Sequence, residues 1–469
     1  MTITATGATI AASYSRLVEH IVWVFLAVVV ECPWWVLASK GDKMGRMTAI
    51  RWKVKVVVSG VIAAALVGLA CLGLESAPLS TELSASRTVG PTLYVSPHGN
   101  DSANACTRVS RPCQTIAHAV SVAPSGATVV VEPGLYQVKI VGGIDLTQPV
   151  TIKALGHVVV TGTGPIFDLY NASSPMSGVH GVTIEGIHFQ NVTGSGYNGV
   201  ITVPGYGARD VTIADNTFSN ITDEAIGYHG NPSPFLTGSN WRIIGNTING
   251  VTHSSRSGIW LGNLSNSVIA DNSISNVGHA GIILNAFSAS PPSNNNNQIL
   301  DNRISNAPYE GIQVAFGNSV LVKGNVIFRA GTHCMGAAAG SGCGAAAGAS
   351  SSAIMLYNPG QTNITVIDNT ASQSFNGLTV GPASSATAPG VLGAGVVAIH
   401  NDFVADSNAG VANFAASDSA PLNAMLNWWG CASGPNTGNC SSTIGSVDVV
   451  PWLTHAVHAS HGPRYAFNG

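Results

Sequence analysis

Charge is what this chain has least of: 19 Lys and Arg and 22 Asp and Glu make up only 9% of 469 residues, against 45% hydrophobic. So few ions suit strands stacked on one another through backbone bonds better than a helical bundle. The scarcity is also uneven. Residues 1–87 hold eight of the cations, leaving eleven against seventeen acids beyond them, a formal −6. That balance excludes an ordinary nucleic-acid partner, and it disfavours a polyanionic one unless Ca²⁺ or Arg256 neutralises it locally. The cysteines lack the spacing of a zinc site.

What the chain does have is a repeated phrase. Val211-Thr-Ile213-Ala-Asp-Asn216-Thr-Phe218 returns around Asn246, Asn272, Asn302, Asn325, Asn369 and Asn401, in steps of 30, 26, 30, 23, 44 and 32 residues. About ten residues after most of these Asn comes a second short strand opened by a small residue, as in Ala225-Ile226, Gly258-Ile259, Gly281-Ile282 and Gly311-Ile312. A leucine-rich repeat would carry a helical return segment, and none is present. Several β-branched strands per turn with Gly or Asn at the corners predict an all-β solenoid, a right-handed parallel β-helix. Equivalent residues of adjacent coils should then lie roughly 4.8 Å apart. Ile213, Ile243, Ile269, Ile299 and Val322 form one interior ladder, Phe218, Ile248, Ile274, Ile304 and Ile327 another, and the Asn column bonds the corners.

Before the repeats, Val56–Leu74 is an uncharged run preceded by Arg46, Arg51, Lys53 and Lys55. It reads as an export signal or a single anchor. Ile21–Val30 is a shorter apolar run; Met44 or Met47 is the expected start of translation, the alternative being that this run is a second membrane segment. The organisation is therefore an extension over 1–55, a signal or anchor over 56–77, a linker over 78–92, the β-helix over 93–453 and a tail over 454–469. Six cysteines in close pairs, Cys106 with Cys113, Cys334 with Cys343 and Cys431 with Cys440, argue for three short disulfides in an exported chain. The Gly331–Ser352 segment is an excursion from one coil. The helix expected near Ile116, with Val120 and Ala123 on the same face, would cover the open strand edges at the start of the solenoid.

Leu93-Tyr-Val-Ser-Pro-His-Gly-Asn-Asp101, Arg111–Val120 and Gly126–Tyr136 together resemble the opening of bacterial extracellular β-helix proteins of the pectate-lyase-like superfamily. Asn427-Trp-Trp-Gly430, Gly434-Pro435 and Val449–Leu453 resemble their closing segment. The resemblance implies a surface that handles extracellular polysaccharide as lyase, hydrolase, epimerase or non-catalytic adhesin, in a protein expected to be monomeric and to meet a membrane only through its N-terminal segment. The superfamily's Asp-Pro-His-Asp epimerase phrase is missing, and no acidic cluster stands beside Lys139, Lys153 or Lys323. No catalytic residue is carried over from it.

Alignment of the second strands offers a site instead. Asp223-Glu224, Arg256-Ser257, His279-Ala280, Tyr309-Glu310 and Ser351-Ser352 fall in successive coils, as an outward patch of neighbours about 5 Å apart. Tyr228, His229, Trp260, Asn263, Asn285 and Gln313 lie beside it, aromatic and amide groups of the kind sugars favour. An Asp223 or Glu224 kept ionised by Arg256 could work with a Glu310 of raised pKa in glycoside hydrolysis. Alternatively His279 or Tyr309 could remove a proton beside a uronate neutralised by Arg256. The plainer reading is a solvated polar face. Asp271 and Asp301 precede Asn in adjacent coils and could share a Ca²⁺, although an Asp-Asn corner explains them more simply.

Overall fold

Each coil turns at three corners, and at each one a single residue adopts the left-handed conformation. One corner holds Asp215, Gly245, Asp271, Asp301, Gly324 and Asp368 in successive coils, with φ between 53° and 69°. A second holds Asn220, Gly250, Asn276 and Asn306, and a third Asp210, Asn240, Asn266 and Asn296. Gly, Asn and Asp adopt this conformation at least cost, which accounts for their abundance here. At 245 and 324 glycine has a further reason. A side chain there would run into the carboxylate of Asp215 or Asp301 from the coil before. Asp271 and Asp301, both exposed, are thus accounted for by the corner itself.

Between the corners run three long parallel sheets of 13, 10 and 11 strands, with a short sheet of four. This computed structural model describes residues 90–457 apart from 141, 170–178, 195–198, 203–206, 228–236, 286–293, 336–350, 358–359 and 382–389. The chain divides into two units, Met1–Arg87 and Thr88–Gly469. The extension, the apolar segment, nearly all of the linker, most of the tail, Tyr228, His229 and Cys343 lie outside the described residues. No described helix is long and apolar enough to cross a membrane.

Strand register places both expected ladders inside. Ile213, Ile243, Ile269, Ile299 and Val322 pair in sequence across the 13-stranded sheet. Phe218, Ile248, Ile274, Ile304 and Ile327 do the same in the 10-stranded sheet. All ten are at most 1% exposed. Ile226, Ile259, Ile282, Ile312 and Ile354 supply a third column from the 11-stranded sheet. Phe189 stacks on Phe218 with centroids 4.9 Å apart.

The amide column is buried and continuous. Asn246 donates its backbone N–H and its Nδ2 to Asn272 Oδ1 at 3.0 Å each, while the same Nδ2 also reaches Ile213 O at 2.9 Å. Asn272 repeats this with Asn302 and Ile243. The pattern runs on from Asn302 to Asn401, and Asn427 adds a rung that the repeat spacing did not reveal. Each rung satisfies corner groups that would otherwise be buried unpaired.

The first strand, Thr92–Val95, is overlaid by the helix Ile116–Val122, capped where Thr115 Oγ1 accepts the His118 N–H at 3.1 Å. The helix buries Ile116 and Ala119, and Val120, expected on the inner face, is only half-buried. Cys106–Cys113 and Cys431–Cys440 are bonded. Cys334 is disulfide-bonded too. At the far end Trp429 is fully buried beside Phe403.

Two substitutions separate the interior from the corner. Ile269→Asp should leave no folded protein, since a carboxylate cannot enter a dry column at tolerable cost. Asn272→Ala should fold but lose about 1 to 3 kcal/mol, because it strands the Asn246 N–H and neighbouring amides. Urea midpoints indistinguishable from the parent would contradict both placements.

Candidate functional site

The residues singled out by alignment lie where the chain leaves the 10-stranded sheet and enters the 11-stranded one. Register confirms that Glu224, Ser257, Ala280, Glu310 and Ser352 occupy equivalent positions, two residues before the paired Ile of each coil. Strand alternation sends that Ile inward and the next residue outward: Gly227, Trp260, Ile283, Gln313 and Met355. The Cβ of Glu224 lies 3.1 Å from where a side chain at 227 would begin, so the two positions share the outer side.

An open solvated face does not result. Asp223, Glu224, Arg256 and Glu310 are 5%, 2%, 7% and 1% exposed. Arg256 Nε sits 2.9 Å from Asp223 Oδ1 and 3.9 Å from Glu224 Oε2. The expectation that Arg256 keeps a neighbouring carboxyl in the ordinary ionised range needs correction for Glu224, where burial outweighs it. Glu224 is pushed up to about 7 by loss of water, with Arg256 only partly opposing, and Asp223 is raised in the same sense. Burial lifts Glu310 to about 8. Asp223 Oδ2 and Glu310 Oε2 are buried acceptors with no hydrogen-bond partner among the described residues.

Beside this row His279 stacks on Tyr309 at 4.3 Å, and Tyr309 on His333 at 4.0 Å. Burial, then repulsion from His333, lowers His279 to about 4, so its ring is neutral at neutral pH. His333 was not anticipated, since the excursion that begins at Gly331 breaks the repeat spacing. Its ring orientation is fixed by Nδ1 at 2.7 Å from Pro308 O.

The remaining candidates separate. Trp260 and Gln313 are half-buried on the outward column beside the carboxyls. Asn263 and Asn285 stand at the opposite end of the strands, and Asn263 is buried in a left-handed corner. Glu224 and Glu310 are three coils apart, about 14 Å, beyond the carboxyl spacing used in glycoside hydrolysis. Asp223 and Glu224 lie closer together. Their Arg-facing oxygens are at most about 7 Å apart, the two Arg256 contacts laid end to end. Nearer the N-terminus, Asp145 and Asp168 pair in register on the same sheet. Burial and the Asp145 charge raise Asp168 to about 7. That acidic pair escaped the sequence reading because it precedes the regular repeats.

Residues 175–358 match the protein family described as the right handed beta helix region. No curated protein matches the sequence. Among solved structures the chain is similar to an alginate lyase from Paenibacillus sp. str. FPU-7, at 14% identity over 76% of this chain and 99% of that one, with a TM-score of 0.38. It is also similar to PfbA, a surface adhesin of Streptococcus pneumoniae, at 15% identity over 64% and 71%, TM-score 0.36. Pectate lyase Pel9A matches at 13% identity over 80% and 83%, TM-score 0.38. The family match and the parallel coils make the chain a right-handed parallel β-helix.

The raised carboxyls set a pH dependence. Glu224 and Glu310 bind protons more tightly folded than unfolded, where their ordinary value is 4.5. Their contribution to stability is therefore full below about pH 4.5 and lost as the pH rises through 7 to 8. Urea midpoints should fall across that window, and Glu310→Gln should flatten the upper part of the fall. Midpoints that instead rise from about pH 5 to 8 would contradict these protonation states. Arg256→Ala should cost about 3 to 5 kcal/mol by leaving Asp223 buried without its counter-charge.

Proposed function

We propose that this chain is an exported β-helix protein that hydrolyses an extracellular polysaccharide at the Asp223–Arg256–Glu224 cluster. The observation that carries the reading is a pair of buried carboxyls, their Arg-facing oxygens no more than about 7 Å apart, that a single guanidinium treats unequally. Arg256 contacts Asp223 directly and Glu224 more distantly, and Glu224 holds its proton to about pH 7. Glu224 would give that proton to the glycosidic oxygen as the bond to the anomeric carbon breaks. Asp223 would serve as base for the incoming water or as nucleophile. The elimination route has less support, because Arg256 is already engaged by two carboxyls and His279, lowered to about 4, is a weak base. Export is supported by the disulfides, which persist in oxidising compartments.

The burial of all three side chains favours a second reading: a glycan-binding surface protein without turnover, in which the cluster braces two coils. A screen of the β-helix domain against polysaccharides distinguishes them, reading new reducing ends for hydrolysis and ultraviolet absorbance of unsaturated ends for elimination. Glu224→Gln and Asp223→Asn, shown to be folded by circular dichroism, should each reduce hydrolysis at least about a hundredfold. Arg303→Ala on the 10-stranded sheet should leave it unchanged. Full activity in both carboxyl variants would rule out the cluster as the catalytic site, and binding without turnover would favour the second reading.

A further inference from the structure

The 11-stranded sheet ends at the strand Ile144–Asp145, which pairs only with Phe167–Asp168. Ile144 and Leu146 give their N–H groups to Ile166 O and Asp168 O, at 2.9 and 2.7 Å. Alternation turns the N–H and C=O of Asp145 and Thr147 the other way, toward the start of the solenoid, where no hydrogen bond among the described residues engages them. The 13-stranded sheet is closed at the same end: Tyr94 N–H donates to Cys106 O and Cys113 N–H to Tyr94 O, each at 2.8 Å. Beside Ile144–Asp145 there is instead a cavity of about 280 Å³, lined by Ala117 and Val120 of the capping helix, by Ile140, and by Ile144, Asp145 and Thr147. Gln148, which also lines it, donates Nε2 to Ala123 O at 2.5 Å and ties the exit of the strand to the end of the helix. Val120 packs on the core with one side and lines this cavity with the other, which is why it is half-buried.

We propose that this edge binds an extended peptide carrying Lys or Arg, which adds a strand beside Ile144–Asp145. The cavity is just below the size of a small-molecule pocket, and one of its walls is a row of backbone donors and acceptors, which a strand matches group for group. Charge selects the sequence of that strand. Asp145 is exposed and is the one charged residue of the lining, with Asp168 stacked on it in register, whereas Lys139, next to Ile140, is not part of the lining. The peptide residue opposite Asp145 points outward, so a cation there meets both carboxyls. Its neighbours point inward beneath Ala117 and Val120, where apolar side chains fit. A second copy offering the same edge is disfavoured, because it would bring two Asp145 carboxylates onto one short strand pair. The edge lies three coils before Asp223, and the proposal does not depend on what the carboxyl row there does.

The test is fluorescence anisotropy of the full chain with a labelled synthetic peptide of alternating Val and Lys, at low salt and neutral pH. The peptide should bind, and its counterpart with Glu in place of Lys should bind at least about tenfold more weakly. Methylating the backbone nitrogens of the Val residues alone, or of the Lys residues alone, should give opposite results, because only one alternate set faces the strand. Asp145→Lys, shown to be folded by circular dichroism, should reverse the preference in favour of the Glu peptide. Failure of the Lys peptide to bind, equal effects of the two methylations, or an unchanged preference in Asp145→Lys would each overturn the proposal. Concentration-dependent dimerisation in sedimentation, abolished by a folded Val120→Trp, would assign the edge to a second copy of the chain and overturn it as well.

Discussion

Every coil depends on its neighbours for the partners of its own backbone. Parallel strands bond only to the coils before and after them, so no coil is satisfied alone, and the corners, where the regular ladder breaks, are the points of greatest exposure to failure. The buried Asn column answers that need. Its amides close the corner between the 13- and 10-stranded sheets from coil to coil, and the hydrophobic ladders can stack only because that corner holds register. In low dielectric such a chain of amides polarises along its length, which strengthens each bond within it.

This constraint explains what could be read from sequence. A left-handed corner favours Asn, Asp or Gly at a fixed place, although His400 and Leu426 also take it, and the residue after it must be an amide that reaches both neighbours. The requirement is local and leaves a phrase behind. The two interior columns follow from the same phrase by strand alternation. Asn427 escaped notice because the segments flanking it depart from the repeat, and on the capping helix Ala119 is buried beside Ile116 while Val120 packs against the core half-buried.

The site was legible in part, for a reason of the same kind. Alignment brought Asp223, Glu224, Arg256, His279, Tyr309 and Glu310 into successive coils correctly, since coil stacking determines that. Whether an outward position remains wet is set by chain far away in sequence, and the repeat carries no record of it. Hence carboxyls expected in solvent are buried, and their proton affinities rise despite the guanidinium beside them. His333 joins the ring stack from the edge of an excursion, where the repeat period fails.

The uniformity of the Asn rungs bears on how such a chain can change length. Asn246, Asn272 and Asn302 make the same set of contacts although 26 and 30 residues separate them, so the rung does not depend on how much chain lies between. A whole coil could be duplicated or lost and the ladder would close across the gap. Loss of one residue inside a strand would turn its inner side chains outward and break the column. Growth by coils and by corner excursions is thus mechanically permitted where single-residue slips are not, and the unequal repeat steps of this sequence have the form that such a history would leave.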